Sequence, residues 1–224
     1  MIKSILLSTV VIVLGSCSSD NKSNVPEKPV YRTDYSAPEI TKPDFDVVLS
    51  RFEKDSLFGY KSRGGRIVIP AEYDFAQERF VNYGIVRNTG GEFMGIDSQG
   101  KFLYNIYFFD NGPDYIDCNR FRIIKDGKIG FANGKTGRIE ILPELSYADY
   151  FNENLAVFCI GGEEKKTSDG EHSYWLGGNW GVIDTEGKVV VEPIYSSITH
   201  YQNGKAEAVL NGKTIQINKK GKQI

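Results

Sequence analysis

An all-β fold of five tandem three-stranded antiparallel meanders is what this sequence predicts, and three observations predict it. A strand–turn–strand stretch, Gly178 to Val191, recurs along the chain, and its turn glycines Gly65, Gly100, Gly137, Gly187 and Gly221 stand 35, 37, 50 and 34 residues apart. Runs rich in β-branched residues follow the glycines, as in Ile67-Val68-Ile69, Ile139-Glu140-Ile141 and Val189-Val190-Val191. The 224 residues include 24 glycines and 12% aromatics, the balance of packed strands joined by many tight turns. A repeat of about 35 residues cannot bury its own apolar face, so the copies must stack, either as a propeller-like ring or as an open β-solenoid.

The first 16 residues read as a signal peptide. Lys3 supplies a positive start, Ile5 to Leu14 is nearly continuous apolar sequence, and Gly15 and Ser16 precede Cys17. The run is short for a membrane-spanning helix. Leu14-Gly15-Ser16-Cys17 resembles the lipobox of bacterial lipoproteins. That resemblance implies cleavage before Cys17, diacylglycerol on its thiol, and, from Ser18, the outer membrane as destination, with the leaflet left open. Two or more acyl chains hold a protein stably on a bilayer. The plainer alternative is an ordinary signal peptide with an incidental cysteine, or an uncleaved anchor.

Residues 17–44 read as the lipidated cysteine and a polar linker. Ser, Asn, Lys and Pro dominate it, and it has too little apolar surface to repay ordering. Val30-Tyr31 and Tyr35 are apolar enough for its later part to dock on the body.

Residues 45–224 form the repeat domain. Each copy is predicted to hold an entry strand (Val47-Val48-Leu49, Gly84-Ile85-Val86, Phe121 to Ile124, Leu155 to Phe158, Ala206 to Val209), the strand before the turn glycine, and the strand after it. Asp97, Asn133, Asp184 and Asn218 open four of the turns, where a short polar side chain bonds the backbone ahead. Pro70, Pro143 and Pro193 interrupt the third strands. Tyr73, Phe108, Tyr147 and Tyr195 come next and read as repeated core between copies rather than a carbohydrate platform. The last copy stops three residues after Gly221, and Tyr31 or Tyr35 is the candidate to complete it.

Trp180-Gly181-Val182-Ile183-Asp184-Thr185-Glu186-Gly187-Lys188, with Glu192-Pro193 and Tyr195 after it, resembles the bacterial WG repeat. The resemblance covers about Asp46 to Ile224. Only one copy has the Trp-Gly pair; Phe58-Gly59, Phe93-Met94, Ile129-Gly130 and Thr214-Ile215 take its place elsewhere. The resemblance implies an extracytoplasmic or surface repeat protein and carries no shared catalytic residues.

Function is less legible. A formal charge of -2 with intermixed signs excludes a nucleic-acid footprint. The two histidines, His172 and His200, lie far apart, and no nucleophile or metal-ligand motif is present, so neither enzyme nor cofactor is expected. Glu163, Glu164, Asp169, Glu171 and His172 form a charged cluster that reads as a solvated loop before it reads as a metal site. Arg66, Lys101, Arg138, Lys188 and Lys222 follow the turn glycines; they protect strand ends or, stacked in a stripe, grip an anionic headgroup or glycan. Cys118 and Cys159 are read as free thiols, with a disulfide as the alternative.

The insertion at 161–178 is the exception to the period. It replaces a short hairpin turn, and it carries Tyr174 and Trp175 with His172 and Glu171 beside them, the candidate binding residues. The expected function is a non-enzymatic module, held on the membrane through lipidated Cys17, that binds an envelope protein or glycan. The alternative is a structural accessory subunit of an envelope complex.

Overall fold

Five copies of the strand–turn–strand core stand in a row in the computed structural model, which describes residues 31–38, 47–170 and 172–224. Cys17, the linker through residue 30, residues 39–46 and Glu171 lie outside the described residues. The copies comprise Val48–Lys54, Leu57–Lys61 and Ile67–Tyr73; Tyr83–Arg87, Phe93–Asp97 and Phe102–Ile106; Arg120–Lys125, Lys128–Asn133 and Ile139–Leu145; Leu155–Ile160, Asn179–Asp184 and Val189–Tyr195; and Lys205–Leu210 with Lys213–Asn218. All pairings are antiparallel.

Short strands beyond the three-stranded meanders join the copies. Phe75–Ala76, Tyr147–Ala148 and Ser197–Ile198 are two-residue strands that pair with the first strand of the next copy. They are too short to leave a period in the sequence, and they stitch neighbouring copies together. Between the second and third copies the stitch differs. There Phe108–Phe109 pairs with Gly112–Pro113, and Ile106 pairs directly with Ile123.

The turns form as their residues require. The Oδ1 atoms of Asp97, Asp184 and Asn218 each accept two backbone N–H bonds from the residues ahead, and Asn133 does the same in the one-residue-longer third turn. These side chains are turn formers.

Stacking follows a rule that joins turn to strand. The fourth residue after each turn glycine lies under the turn glycine of the next copy. A methyl group added at Gly100 would stand 3.3 Å from Ile69, one at Gly187 3.2 Å from Ile141, and one at Gly221 3.0 Å from Val191. At the second-to-third junction the supporting residue is Tyr104, whose hydroxyl donates to the Gly137 carbonyl at 2.6 Å. Gly65, in the first copy, has nothing within 4 Å of that position. Tyr104 is larger than its counterparts, and the cross-strand residue is correspondingly smaller. Tyr104 faces Gly95, whereas Tyr60 faces Ile69, Phe131 faces Ile141, and Val182 faces Val191.

Burial is organised between copies. Four apolar clusters fill the four junctions, centred on Tyr60 and Ile96, Tyr104 and Phe121, Phe131 and Phe158, and Val182 and Tyr201. Among the described residues no cluster and no strand pairing joins the fifth copy to the first, so the stack is open rather than a ring.

The segment before the first copy docks, but not where completion of the last copy would place it. Thr33 to Ala37 runs as a strap between the third and fourth copies. Tyr35 donates its N–H to Gly187 O at 2.9 Å and accepts from Leu142 N at 2.8 Å, while Ala37 N bonds Glu140 O and Val189 N bonds Thr33 O. The Tyr35 ring is buried edge-on to Phe158 at 5.7 Å, and the Arg32 guanidinium lies 5.2 Å from it. In the fifth copy, Gln223 bridges to Ile217 and Ile224 donates to Gln216 O, so the chain's own end takes the edge that Tyr31 or Tyr35 would have filled.

Tyr35→Ala should therefore cost about 3–5 kcal/mol, the usual range for emptying a buried aromatic site, and half-exposed Tyr31→Ala far less; urea unfolding of both variants checks this. Gly187→Ala and Gly65→Ala share a positive φ, of 86° and 84°. Both should lose about 1–2 kcal/mol for that backbone. Gly187→Ala should lose measurably more, because its methyl group would stand 2.9 Å from the Ser36 nitrogen. Equal losses would refute the stacking rule.

Candidate functional site

The insertion is a hairpin, Glu163–Lys166 paired with Ser173–Leu176, set apart from the sheet of the fourth copy. Four glycines cause the separation. Gly161, Gly162, Gly177 and Gly178 have φ of 76°, 75°, 76° and 76°, so both legs turn sharply at the same level. Two indoles fasten this base: Trp175 Nε1 donates to Gly161 O at 3.0 Å, and Trp180 Nε1 to Gly177 O at 3.1 Å. The Tyr147 ring sits 5.5 Å from each indole. Beneath them lies the Cys159 thiol, which burial pushes up to about 11.

So directed, the hairpin leans over the third copy and closes one side of a cleft of about 790 Å³. Tyr174, Trp175, His172 and Glu164 come from the hairpin; Tyr107, Phe108, Phe109 and Tyr147 from the stitches on either side of the third copy; and Arg122 from that copy's first strand. Burial raises the Tyr107 hydroxyl; the Arg122 charge lowers it, and the Glu164 carboxylate raises it further.

Arg122 and Asp114 form a buried ion pair on this side. Arg122 is 1% exposed, and its guanidinium holds both oxygens of Asp114, at 2.6 and 3.0 Å, while its backbone N–H donates to the same carboxylate. Tyr107 lies 4.1 Å and Phe109 5.0 Å from the guanidinium carbon. Burial works against the Arg122 charge, but the Asp114 hydrogen bonds and attraction outweigh it and hold its pKa above the ordinary value. This pair fixes the stitch that carries Phe108 and Phe109. A nearby pair, His200 Nε2 and Asp149 Oδ2 at 2.9 Å, ties the segment that enters the fourth copy to the one that leaves it.

The predicted binding residues thus fall in two groups. His172, Tyr174 and Trp175 are brought together on the cleft wall. Tyr174 is 51% exposed as expected, whereas Trp175 is half-buried because its ring secures the hairpin base. Glu171 and Cys17 lie outside the described residues. Sequence reasoning missed Arg122 and Asp114; the available signal was an arginine inside the apolar run Phe121-Arg122-Ile123-Ile124. It also grouped Phe108 with buried aromatics. Tyr73 and Tyr195 are buried, but Phe108 is 58% exposed and opens onto the cleft, because the third strand before it lacks the proline and its stitch pairs differently. Cys118 and Cys159 are both free; Cys159 is buried and Cys118 half-buried.

In the candidate stripe of cations, Lys188 pairs with Glu186. Among the described residues no group of three or more His, Cys, Asp and Glu side chains is placed to hold a metal.

Residues 58–90, 129–163 and 180–213 match the family model of the WG containing repeat. The chain belongs to the WG-repeat family. Each matched segment begins at the second strand of the first, third or fourth copy and runs through the first strand of the next. The second copy departs from the WG pattern where Met94 and the Gly95–Tyr104 exchange replace it, and the fifth ends soon after its turn. The family glycine has a steric reason: methyl groups at Gly59, Gly130 and Gly181 would stand 2.5–2.6 Å from a third-strand carbonyl beside its proline.

None of the curated proteins matches this sequence. Among solved structures, BamB from Moraxella catarrhalis is similar at 11% identity and a TM-score of 0.31, over 83% of this chain and 59% of that one. A protein described as exported, from Bacteroides fragilis NCTC 9343, is similar at 11% identity and a TM-score of 0.28, over 84% and 57%. The WG-repeat chain thus spans less than two thirds of either.

Removing one partner of a buried ion pair leaves an uncompensated charge. Asp114→Ala should cost about 3–5 kcal/mol by chemical denaturation. The His200 pKa is raised, first by its hydrogen bond to Asp149, against a smaller opposing effect of burial. The stabilisation is therefore full below the ordinary histidine value of 6.5 and lost as pH rises through the raised folded-state value. Stability measured across this window should fall in the wild type, and His200→Gln should remove that part of the fall.

Proposed function

We propose that this WG-repeat protein is a non-enzymatic binding module of the bacterial cell envelope, lipid-anchored through Cys17 in the outer membrane, with the cleft under the insertion hairpin as its binding site. One observation carries the reading. The only long departure from the repeat period is built, by four glycines and two indoles, into the wall of a cleft lined by six aromatic side chains. Clefts of a few hundred cubic ångströms, apolar with a few polar groups converging on them, are the usual form of ligand sites. Binding asks nothing more of these residues, and no catalytic role is assigned to them.

The lipobox resemblance supports the anchor. Thr33 to Ala37 are held at the junction of the third and fourth copies, the same copies that frame the cleft. The alternative, a structural accessory subunit, draws support from exposed Ile67 and Phe102, which begin the third strands of the first and second copies.

Shortening Gly162 to Gly177 into a tight turn tests the reading, with partner affinity measured on material captured from gently solubilised membranes. The shortened protein should stay folded, melt a few degrees lower because Tyr147 is uncovered, and lose at least about tenfold in affinity. Tyr174→Ala should weaken binding without changing the melting temperature, whereas Trp175→Ala should lower both. Full binding by the shortened protein would move the site to the repeats. For the anchor, Cys17→Ser should abolish lipid labelling and retention on membranes washed with high salt and carbonate; persistence of both would sink the lipobox reading.

A further inference from the structure

We propose that the ligand of this cleft is an uncharged oligosaccharide, an inference that rests on the cleft being the binding site. The first observation is the ring surface itself. Tyr174 and Phe108 are 51% and 58% exposed on opposite sides of the opening, and neither is needed to fill a core. Phe108 holds the place where other copies bury a tyrosine, so the altered stitch delivers a ring to the cleft that the repeat would otherwise keep inside. Flat rings bind the C–H faces of sugars, and an aromatic side chain contributes large contact area with few rotatable bonds to order.

The second observation is charge. Arg122 is cancelled by Asp114 at 2.6 Å, leaving the carboxylates of Glu164 and Asp110 along the lining and the Lys128 ammonium bonded to Ser146 at its edge. Asp110 also accepts from the Tyr115 hydroxyl at 2.8 Å. The two carboxylates disfavour a polyanion, and Lys128 weakens the pull on a polycation. An acyl chain would leave the Glu164 carboxylate and His172 imidazole without water or a partner, at a cost of a few kcal/mol. A neutral polyol supplies hydroxyls to both.

The third observation is shape. Phe108 is held at the mouth by stacking on the buried Phe93 ring at 6.3 Å. A volume of about 790 Å³ fits a short chain of sugars better than a single one.

The test uses the whole folded protein and a panel of neutral tetrasaccharides with α- and β-linked glucosyl, N-acetylglucosaminyl, mannosyl and galactosyl units, read by calorimetry and tryptophan fluorescence. Hexalysine and heparin serve as charged comparators. At least one tetrasaccharide should bind, with affinity unchanged between about 50 and 500 mM salt, where a charge-driven contact would weaken. Tyr174→Ala and Phe108→Ala should each weaken it about tenfold with melting unchanged, and Glu164→Gln should weaken it less. Sugar binding indifferent to both ring variants would overturn the proposal, as would salt-sensitive binding of hexalysine or heparin alone. If no tetrasaccharide binds but partner capture is lost in the ring variants, the glycan class is wrong and the cleft stands. If no sugar binds and capture persists in the variants, the cleft falls as well.

Discussion

One contact governs the rest of this molecule: the turn of each copy rests on the third strand of the copy before it. The turn residue must have a positive φ and no side chain, because a β-branched or aromatic residue fills the space beneath it. Glycine alone satisfies both conditions cheaply. The contact fixes the offset between copies, and with it which faces become core. That is why the apolar clusters lie at the four junctions and not within any copy. It also explains Gly65, which keeps the turn conformation although nothing lies beneath it. The turn requirement and the stacking requirement are separable, and the first copy carries only the former.

A stack held by nearest-neighbour contacts tolerates local departures, provided that each is compensated where it occurs. At Tyr104 the compensation is Gly95 across the strand and a hydroxyl bonded to the next turn. At the third-to-fourth junction the strap adds a strand from outside the period, with Tyr35 joining the junction core. At the stitch that carries Phe108, a buried arginine and aspartate replace the proline and the inward aromatic. The fourth copy accepts its insertion because paired glycines isolate the hairpin from the ladder. The cleft forms where two of these departures, the hairpin and the altered stitch, meet over the third copy.

This arrangement puts rigidity and recognition in different residues. Trp175, Trp180, Tyr147 and Arg122 are held by stacking and hydrogen bonds and set the shape of the cleft. Tyr174, Phe108, Glu164 and His172 face its opening and make few contacts of their own. Because the strap docks on the same copies, Thr33 to Ala37 and the candidate binding surface belong to one packed region.

The sequence by itself determined the all-β class, the number of copies, the turn positions and the polar residues that close the turns. Each of these depends on interactions within a few residues, and each recurs, so a period exposes it. It also marked the insertion and its Tyr174 and Trp175. Only the tertiary structure decided that the stack is open, that Tyr35 straps the third and fourth copies instead of completing the fifth, and that Trp175 is half an anchor. The Arg122–Asp114 pair and the exposure of Phe108 likewise follow from contacts between segments whose pairing no local pattern encodes. A two-residue strand is too short to have a period, and an edge left open by one copy can be filled by whichever segment reaches it with the right hydrogen bonds.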